Sequence, residues 1–500
     1  MRRFIKRYPR RLWETLCLAL APFLFLSVQA SPPNILIAVA DDWGWPHAGV
    51  YGEQAIRTPT FDHLARQGVL FANAFVTAPS CTPSRASILT GQWHWRLEEN
   101  VNLWSTLRAC YPTYPEILHA HGYFIGHWRK AWGPGRLQPG GRTQDPTGPA
   151  FKNFADFLKK RPKNRPFCFW FGSSDPHRPY RWKSGIRAGI DLNKIRVPPF
   201  LPDNEIVRID IADYGFEVER FDREVGQAIE LLRQAGELDN TVIVVTGDNG
   251  FPFPRAKSNL YDAGTHVPLV IWFPKRFPGG RVVKDFVSLQ DLAPTFLELA
   301  GLKPPAEMTG KSLLPILLSK KQGWIDPTRD HVLTGKERHV PAQEPGNLGG
   351  YPCRAIRTKD FLYIRNFMPQ RWPAGVPGIA HRGKTFADCD NGPTKQFLVE
   401  HRNDPYIRVY FHLAFDKRPA EELYDLRNDP FEILNVAYDP RYAKVRAELS
   451  KRMMDELRAT GDLRVLGGWE RWEAYPYYGG PKKYWTTTNL PPEKIYQIQP

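Results

Sequence analysis

Asn34-Ile35-Leu36-Ile37-Ala38-Val39-Ala40 is a continuous apolar run that halts at Asp41-Asp42. A short run without polar alternation describes a strand buried on both faces, inside a sheet rather than at a solvated edge. Downstream, Thr58 caps a helix with Pro59 in its first turn, Phe61, Leu64 and Ala65 on one face, and Gly68 at its close. Phe167-Cys168-Phe169-Trp170-Phe171 repeats the strand pattern and ends in Ser173-Ser174-Asp175-Pro176-His177-Arg178. A helix with Val218, Phe221, Val225, Ile229 and Leu232 on one stripe follows, and Val242-Ile243-Val244-Val245 then stops at Asp248-Asn249-Gly250. This alternation predicts an α/β sheet with helices on both faces, in which ligands gather outside the carboxyl ends of the strands. Asp41, Asp42, His177, Asp248 and Asn249 all occupy such ends.

The oxygens at those ends, three carboxylates and one amide, suit a hard cation such as Ca²⁺ or Mg²⁺. No Cys/His cluster with zinc spacing competes with that reading. Asp and Asn are also ordinary turn formers, which is the plainer account of each segment taken alone. The run Cys81-Thr82-Pro83-Ser84-Arg85, continuing to Gly91, reads as a helix that starts near Cys81. Arg85 falls on the same helical face as Cys81. The positive helix end and the guanidinium together make a place for a tetrahedral oxyanion, either a sulfate ester or a phosphate.

The same five residues resemble the C-x-P-S-R signature of the type I sulfatases, in which the cysteine is oxidised to Cα-formylglycine. The resemblance extends over residues 33 to 455, and its details are most similar to the heparan N-sulfatase (sulfamidase)-like members. It implies an alkaline-phosphatase-like mixed sheet sandwiched by helices, followed by a smaller C-terminal α+β subdomain of antiparallel sheet plus helix. The corresponding division is 1–30 as a secretory signal, 31–345 as the catalytic domain and 346–500 as the C-terminal subdomain with an aromatic-rich tail. Asp41, Asp42, Asp248 and Asn249, with an oxygen from modified Cys81, are the implied ligands of Ca²⁺, or of Mg²⁺. Cys81, Arg85, Lys130, His177 and Lys257 are the implied catalytic residues. The implied partners are a sulfated saccharide and a formylglycine-generating enzyme during maturation.

The chain departs from the family pattern at two positions. Lys257 stands where the sulfamidase-like members have arginine, which keeps the charge but loses the forked geometry. Trp132 stands two residues after Lys130, where many sulfatases have a histidine that helps expel sulfate, and an indole is no base. His47, His94 and His127 are the histidines weighed as replacements.

The 500 residues carry a net charge of +16, of which the first 30 contribute six bases and one acid, leaving +11 on the remainder. That segment, with Arg2, Arg3, Lys6, Arg7, Arg10 and Arg11 before an apolar run from Leu16 to Val28, reads as an export signal ending near Ala30. The run is short for a membrane span, so no stable span is expected. The basic remainder favours polyanionic partners, and the absence of any nucleic-acid motif points to acidic glycans. Export permits disulfides, and Cys353 with Cys389 is the favoured pair because both lie in the C-terminal region. Arg178, Arg181 and Arg255, with the loop from Gly133 to Arg142, are candidate contacts to a polyanionic saccharide. The aromatic segment from Trp469 to Trp485 is expected to pack on its own domain rather than to stack on sugars. A phosphate-ester or phosphonate hydrolase and a catalytically silent glycan-binding protein are the two alternatives.

Overall fold

The run at residues 34 to 40 forms strand β1 (Asn34–Ala40), whose seven residues are all buried. In the computed structural model, which describes residues 32–343, 349–378 and 385–478, β1 lies near the middle of a seven-stranded sheet. The other strands are β2 (Val69–Phe75), β3 (Phe124–Arg129), β4 (Phe167–Gly172), β5 (Thr241–Gly247), β6 (Leu269–Trp272) and β7 (Arg281–Ser288). Their order is β3-β4-β1-β5-β6-β2-β7. The β3/β4, β4/β1, β1/β5 and β2/β7 pairs are parallel, while β6 runs antiparallel to both its neighbours, so the sheet is mixed.

Alternate residues of β1 face two different cores, as a strand covered on both sides requires. Leu36, Ala38 and Ala40 join Phe61, Val218, Phe221 and Val225, whereas Ile35, Ile37 and Val39 join Leu89, Leu292 and Phe296. The helix Glu205–Gln234 carries the predicted stripe, and it lies on the first of these faces. Each large apolar side chain removed from water this way contributes about 1.5–3 kcal/mol.

A second sheet follows, with β8 (His331–Lys336), β9 (Cys353–Thr358), β10 (Phe361–Asn366) and β11 (Glu421–Asp425) in the order β11-β10-β9-β8. All its pairs are antiparallel. The helix Ala443–Ala459 lays Leu449, Met453 and Leu457 against Ile356, Tyr363 and Leu423. This sheet already begins at His331, upstream of residue 346.

Several expectations change. Cys353 and Cys389 are separate buried thiols, packed into different apolar clusters, and form no disulfide. Arg178 is not a surface contact but is buried in a bidentate pair with Asp210, at 2.8 Å for each bond. Arg255 is likewise buried, against the carbonyls of Leu413 and Glu432 and over the ring of Tyr261. Arg142, within the glycine-rich loop, is buried and bonded to Glu116 and to the carbonyls of Leu107 and Tyr111. Arg181 is exposed. At the start of the aromatic tail Trp472 is fully packed and the Tyr475 hydroxyl donates to Glu98 at 2.8 Å, so this part folds onto the protein. The proposed signal at 1–30 and the tail beyond 478 lie outside the described residues. Among the described residues no helix is long and apolar enough to cross a membrane.

Candidate active site

The strand order explains why residues far apart in sequence meet. β3, β4, β1 and β5 are consecutive and parallel, so their carboxyl ends form one edge, and Lys130, His177, Asp41-Asp42 and Asp248-Asn249 follow those four strands directly or within a short loop. Backbone bonds lock the edge: Asp248 N–H donates to Ala40 O at 3.0 Å, and Asp41 N–H to Asp175 O at 2.8 Å. Asp42 adopts the left-handed conformation with φ 73°, and its N–H donates to Asp248 Oδ1 at 2.9 Å. Asp tolerates that region better than most residues.

Cys81 arrives from the other direction, at the first residue of the helix Cys81–Thr90, which ends at Gly91 with φ 65° as its sequence suggests. The Sγ donates to Asp41 Oδ1 at 3.5 Å, and Asn249 Nδ2 lies 3.8 Å from the sulfur. Single ligand atoms of Asp41, Asp42, Cys81 and Asp248 all lie within 4.8 Å of one another. Asp42 Oδ2 and Asn249 Oδ1 are buried acceptors with no hydrogen-bond partner among the described residues. Buried oxygens left unsatisfied are costly, and a cluster of three carboxylates more so, unless a cation completes it. The donor set, oxygen-rich and carboxylate-dominated, therefore fits a hard divalent ion.

Cationic side chains ring this cluster. Lys130 Nζ donates to Asp41 Oδ1 at 2.6 Å, and the fully buried Lys257 pairs with Asp42. His177 Nε2 stands 3.9 Å from Asp42 Oδ2, while its Nδ1 is 2.6 Å from Arg178 O and so carries a proton there. Arg85 keeps its Nη2 towards the cluster, 3.8 Å from Asp41 Oδ1 and without a hydrogen-bond partner among the described residues. It is fully buried, with Nε on Asp248 Oδ2 at 2.7 Å and Nη1 on the carbonyls of Lys130 and Ala131 at 3.0 and 2.9 Å. It holds Asp248 and the Lys130 backbone in place.

The electrostatics follow from burial and these neighbours. Burial alone would raise Asp41, but Lys130, then His177, Arg85 and Lys257 hold it well below the usual carboxylate range. Burial also opposes charge on His177, yet Asp42, Asp41 and Asp390 outweigh it and raise its pKa. Burial pushes the Cys81 thiol up, so the unmodified side chain stays protonated.

Of the histidines weighed against Trp132, two are bonded elsewhere and His94 is buried with neither ring nitrogen bonded among the described residues. His47 lies among Gly44 O, Tyr214 and Phe251; His94 is enclosed against Trp95; His127 is bonded at Nδ1 to Gly148 O and Thr147. Trp132 is buried. The structure instead brings up two residues from the C-terminal part that sequence reading missed. His339 Nδ1 is 2.8 Å from the hydroxyl of Ser80, the residue before Cys81. Asp390 joins Asp42 and His177, with ligand atoms within 4.8 Å of one another. Neither sits in a motif, so only the three-dimensional path of the chain could reveal them. Val340, Ala342, Val376 and Ala387 complete this cover by packing with Cys81, which is 3% exposed.

Comparison with known proteins gives a consistent picture. The family model described as Sulfatase matches residues 33–302, and the model described as N-sulphoglucosamine sulphohydrolase, C-terminal, matches residues 254–369. The chain is 31% identical over 480 residues to N-sulphoglucosamine sulphohydrolase of Homo sapiens, covering 86% of this chain and 90% of the relative. It is 27% identical over 475 residues to an ulvan-active sulfatase of Formosa agariphila, covering 86% and 75%. Among solved structures, one in complex with its substrate D-glucosamine-2-N,6-O-disulfate superposes with a TM-score of 0.62 at 21% identity, covering 86% of this chain and 99% of the other. The phosphonate monoester hydrolase of Agrobacterium radiobacter superposes with a TM-score of 0.57 at 19% identity, covering 87% and 97%. At such identities the structural likenesses speak for the fold.

Proposed function

The chain belongs to the sulfatase family and is a sulfuric ester hydrolase, and we propose that it removes sulfate, as an O-ester or an N-sulfate, from a saccharide at Cys81. The observation that carries this reading is the meeting of Cys81 with Asp41, Asp42 and Asp248 inside a ring of Lys130, Lys257 and His177. Saccharide substrates are supported by the human N-sulphoglucosamine relative, by the ulvan-active relative and by the sugar disulfate in the superposed complex. The C-x-P-S-R motif supports conversion of Cys81 to formylglycine by a formylglycine-generating enzyme. We assign Ca²⁺ to the carboxylate cluster, with Mg²⁺ as the other hard ion it suits, held by Asp41, Asp42, Asp248, Asn249 and residue 81. We read residues 1–30 as an export signal that directs the chain to the periplasm or the medium. We keep 31–345 as the catalytic part and 346–500 as the C-terminal subdomain, with β8 lent to the latter's sheet.

When bound, the ion together with hydrated formylglycine supplies an oxygen nucleophile at neutral pH. The rest of the task falls to side chains on the strand ends. Lys130 and Lys257 place two positive charges where the non-bridging sulfate oxygens gather charge, in a site largely shielded from water. His177, with Nδ1 fixed by Arg178 O and Nε2 open, is oriented to give a proton to the departing oxygen or nitrogen. Arg85 keeps Asp248 and the Lys130 backbone in register.

The test is the mass of the tryptic fragment carrying Cys81, from protein produced with its maturation machinery, alongside sulfate release from N-sulfated glucosamine. Conversion of thiol to aldehyde with sulfate release is the expected result. An unmodified Cys81 that turns over phosphate esters would replace this reading with the phosphate-ester one.

A further inference from the structure

Asp390 is out of place in a pocket built for an anion. Its carboxylate stands 3.7 Å from Lys257 Nζ and, with Asp42 and His177, completes a group whose ligand atoms lie within 4.8 Å of one another. Its Oδ2 is shut off from solvent and has no hydrogen-bond partner among the described residues. Lys257 does not need it, because that ammonium already pairs closely with Asp42. Nor is Asp390 loosely placed. Lys395, buried, donates to the carbonyls of Phe386 and Cys389 at 3.0 and 2.7 Å and to Asn391 Oδ1 at 2.9 Å, which fixes the backbone before Asp390 and the side chain after it. The neighbouring Asp388 is matched by Lys336 and by Val340 N–H, both at 2.9 Å. The fold thus holds at the site one carboxylate, 24% exposed, whose Oδ2 lies 3.7 Å from Lys257 Nζ and keeps an unmet hydrogen-bond acceptor capacity. Sulfate oxygens cannot meet it, since they carry no proton and share its charge. A donor on the far side of the scissile bond, beside His177, can.

Resting on the sulfatase reading above, we propose that Asp390 reads the leaving atom and favours nitrogen over oxygen, which directs this chain towards N-sulfated amino sugars. In hydrolysis of a sulfamate, R–NH–SO₃⁻ + H₂O → R–NH₃⁺ + SO₄²⁻, the S–N bond breaks, an S–O bond forms and both water protons finish on nitrogen. In hydrolysis of an ester, R–O–SO₃⁻ + H₂O → R–OH + SO₄²⁻ + H⁺, the alcohol keeps one proton and stays neutral. Only the first product is a cation with several donors. A fixed carboxylate beside the leaving atom stabilises it as charge develops, through a charge-assisted hydrogen bond that an alcohol matches weakly. His177 supplies one proton, and Asp390 holds the nitrogen that receives it.

The experiment compares wild type and Asp390→Asn on N-sulfated glucosamine and on 4-nitrophenyl sulfate. The ratio of kcat/KM for the N-sulfate over the O-sulfate is expected to fall about 10- to 100-fold in the variant. Because the comparison is a ratio within one preparation, partial misfolding does not mimic it. Inhibition gives a second readout: glucosamine, an ammonium at neutral pH, is expected to inhibit wild type more strongly than N-acetylglucosamine does, and the variant is expected to lose that difference. A ratio within about threefold of wild type, with glucosamine inhibition retained, overturns the role of Asp390. Wild-type release of sulfate from the O-ester alone overturns it too and leaves the sulfatase reading standing. Release from neither substrate overturns the reading on which it rests.

Discussion

Arg85 has no exposed surface, and its fork is divided between one carboxylate and two backbone carbonyls. Lysine at this position would keep the charge and lose the fork, so that it could not hold Asp248 Oδ2 and the Lys130 and Ala131 carbonyls together. Arg85→Lys is expected to lower kcat/KM by at least about 100-fold and to reduce the melting temperature, since disrupting a buried pair costs about 3–5 kcal/mol. Kinetics and thermal melts on the same preparation check both, and a variant with native values of each would show the fork to be dispensable. The roles of single residues were unevenly legible in the sequence. Asp41-Asp42, Cys81 and Asp248-Asn249 announce themselves because acids halt apolar runs and a cysteine opens a capped helix. Arg85 was legible as a site residue, but not as one that serves Asp248, because spacing gives a face and not a partner. Asp390 and His339 have no local signal at all.

At the level of the elements, the crossing of β4 with the segment after β3 is tight. A Cβ on Gly172, the last residue of β4, would collide with the carbonyl of Lys130, the same oxygen that accepts from Arg85 Nη1 and Trp170 Nε1. Gly172→Ala is expected to cut kcat/KM about 10- to 100-fold by displacing the Lys130 segment, a misplacement that catalysis tolerates poorly. Steady-state kinetics would show the loss, and an unchanged rate would mean that the strand end gives way freely. His266 provides a pH test away from the chemistry. It is sandwiched between Trp45 and Phe75, each at 4.5 Å between ring centres, and its Nε2 is bonded to Ala72 O. Burial, aided by Arg357 and opposed by Asp262, lowers its pKa from 6.5 to about 4. The folded state holds this imidazole neutral, so its contribution is fully present above pH 6.5 and is lost as pH falls to about 4. The loss is about 3 kcal/mol. Denaturant titrations at pH 7 and pH 4.5 should show this acid limb in wild type and a shallower one in His266→Phe. Part of the sheet was marked in sequence, since β1, β4 and β5 are continuous apolar runs and the Glu205–Gln234 helix carries an apolar stripe. Their lateral order was not, because strand neighbours are chosen by packing across the whole sheet.

For the whole molecule, the family resemblance implied two sheets in the right order and gave no warning that they share one site. The pairing of Cys353 with Cys389 rested on proximity in the chain, and packing sends the two thiols into different cores. Likewise, the stretches that cover Cys81, around residues 339–342, 374–376 and 386–390, have neither period nor motif, so nothing local predicts where they settle. Cys81 belongs to the first fifth of the chain, and Val340, Ala342, Val376 and Ala387, which pack on it together with Leu103, belong to the last third. That arrangement imposes an order of events. On the proposed conversion, an enzyme that oxidises Cys81 would reach it only while those later residues are still unmade or unfolded, so maturation and folding would run as a race with a single winner. Chains that folded first would then be sealed with an inert thiol. Native, unconverted protein is therefore expected to resist a maturation enzyme that converts the same protein in its denatured state, and the peptide mass at Cys81 would show the difference. Anything that hastens folding, including a well-stocked supply of cation, should lower the fraction of active molecules rather than raise it.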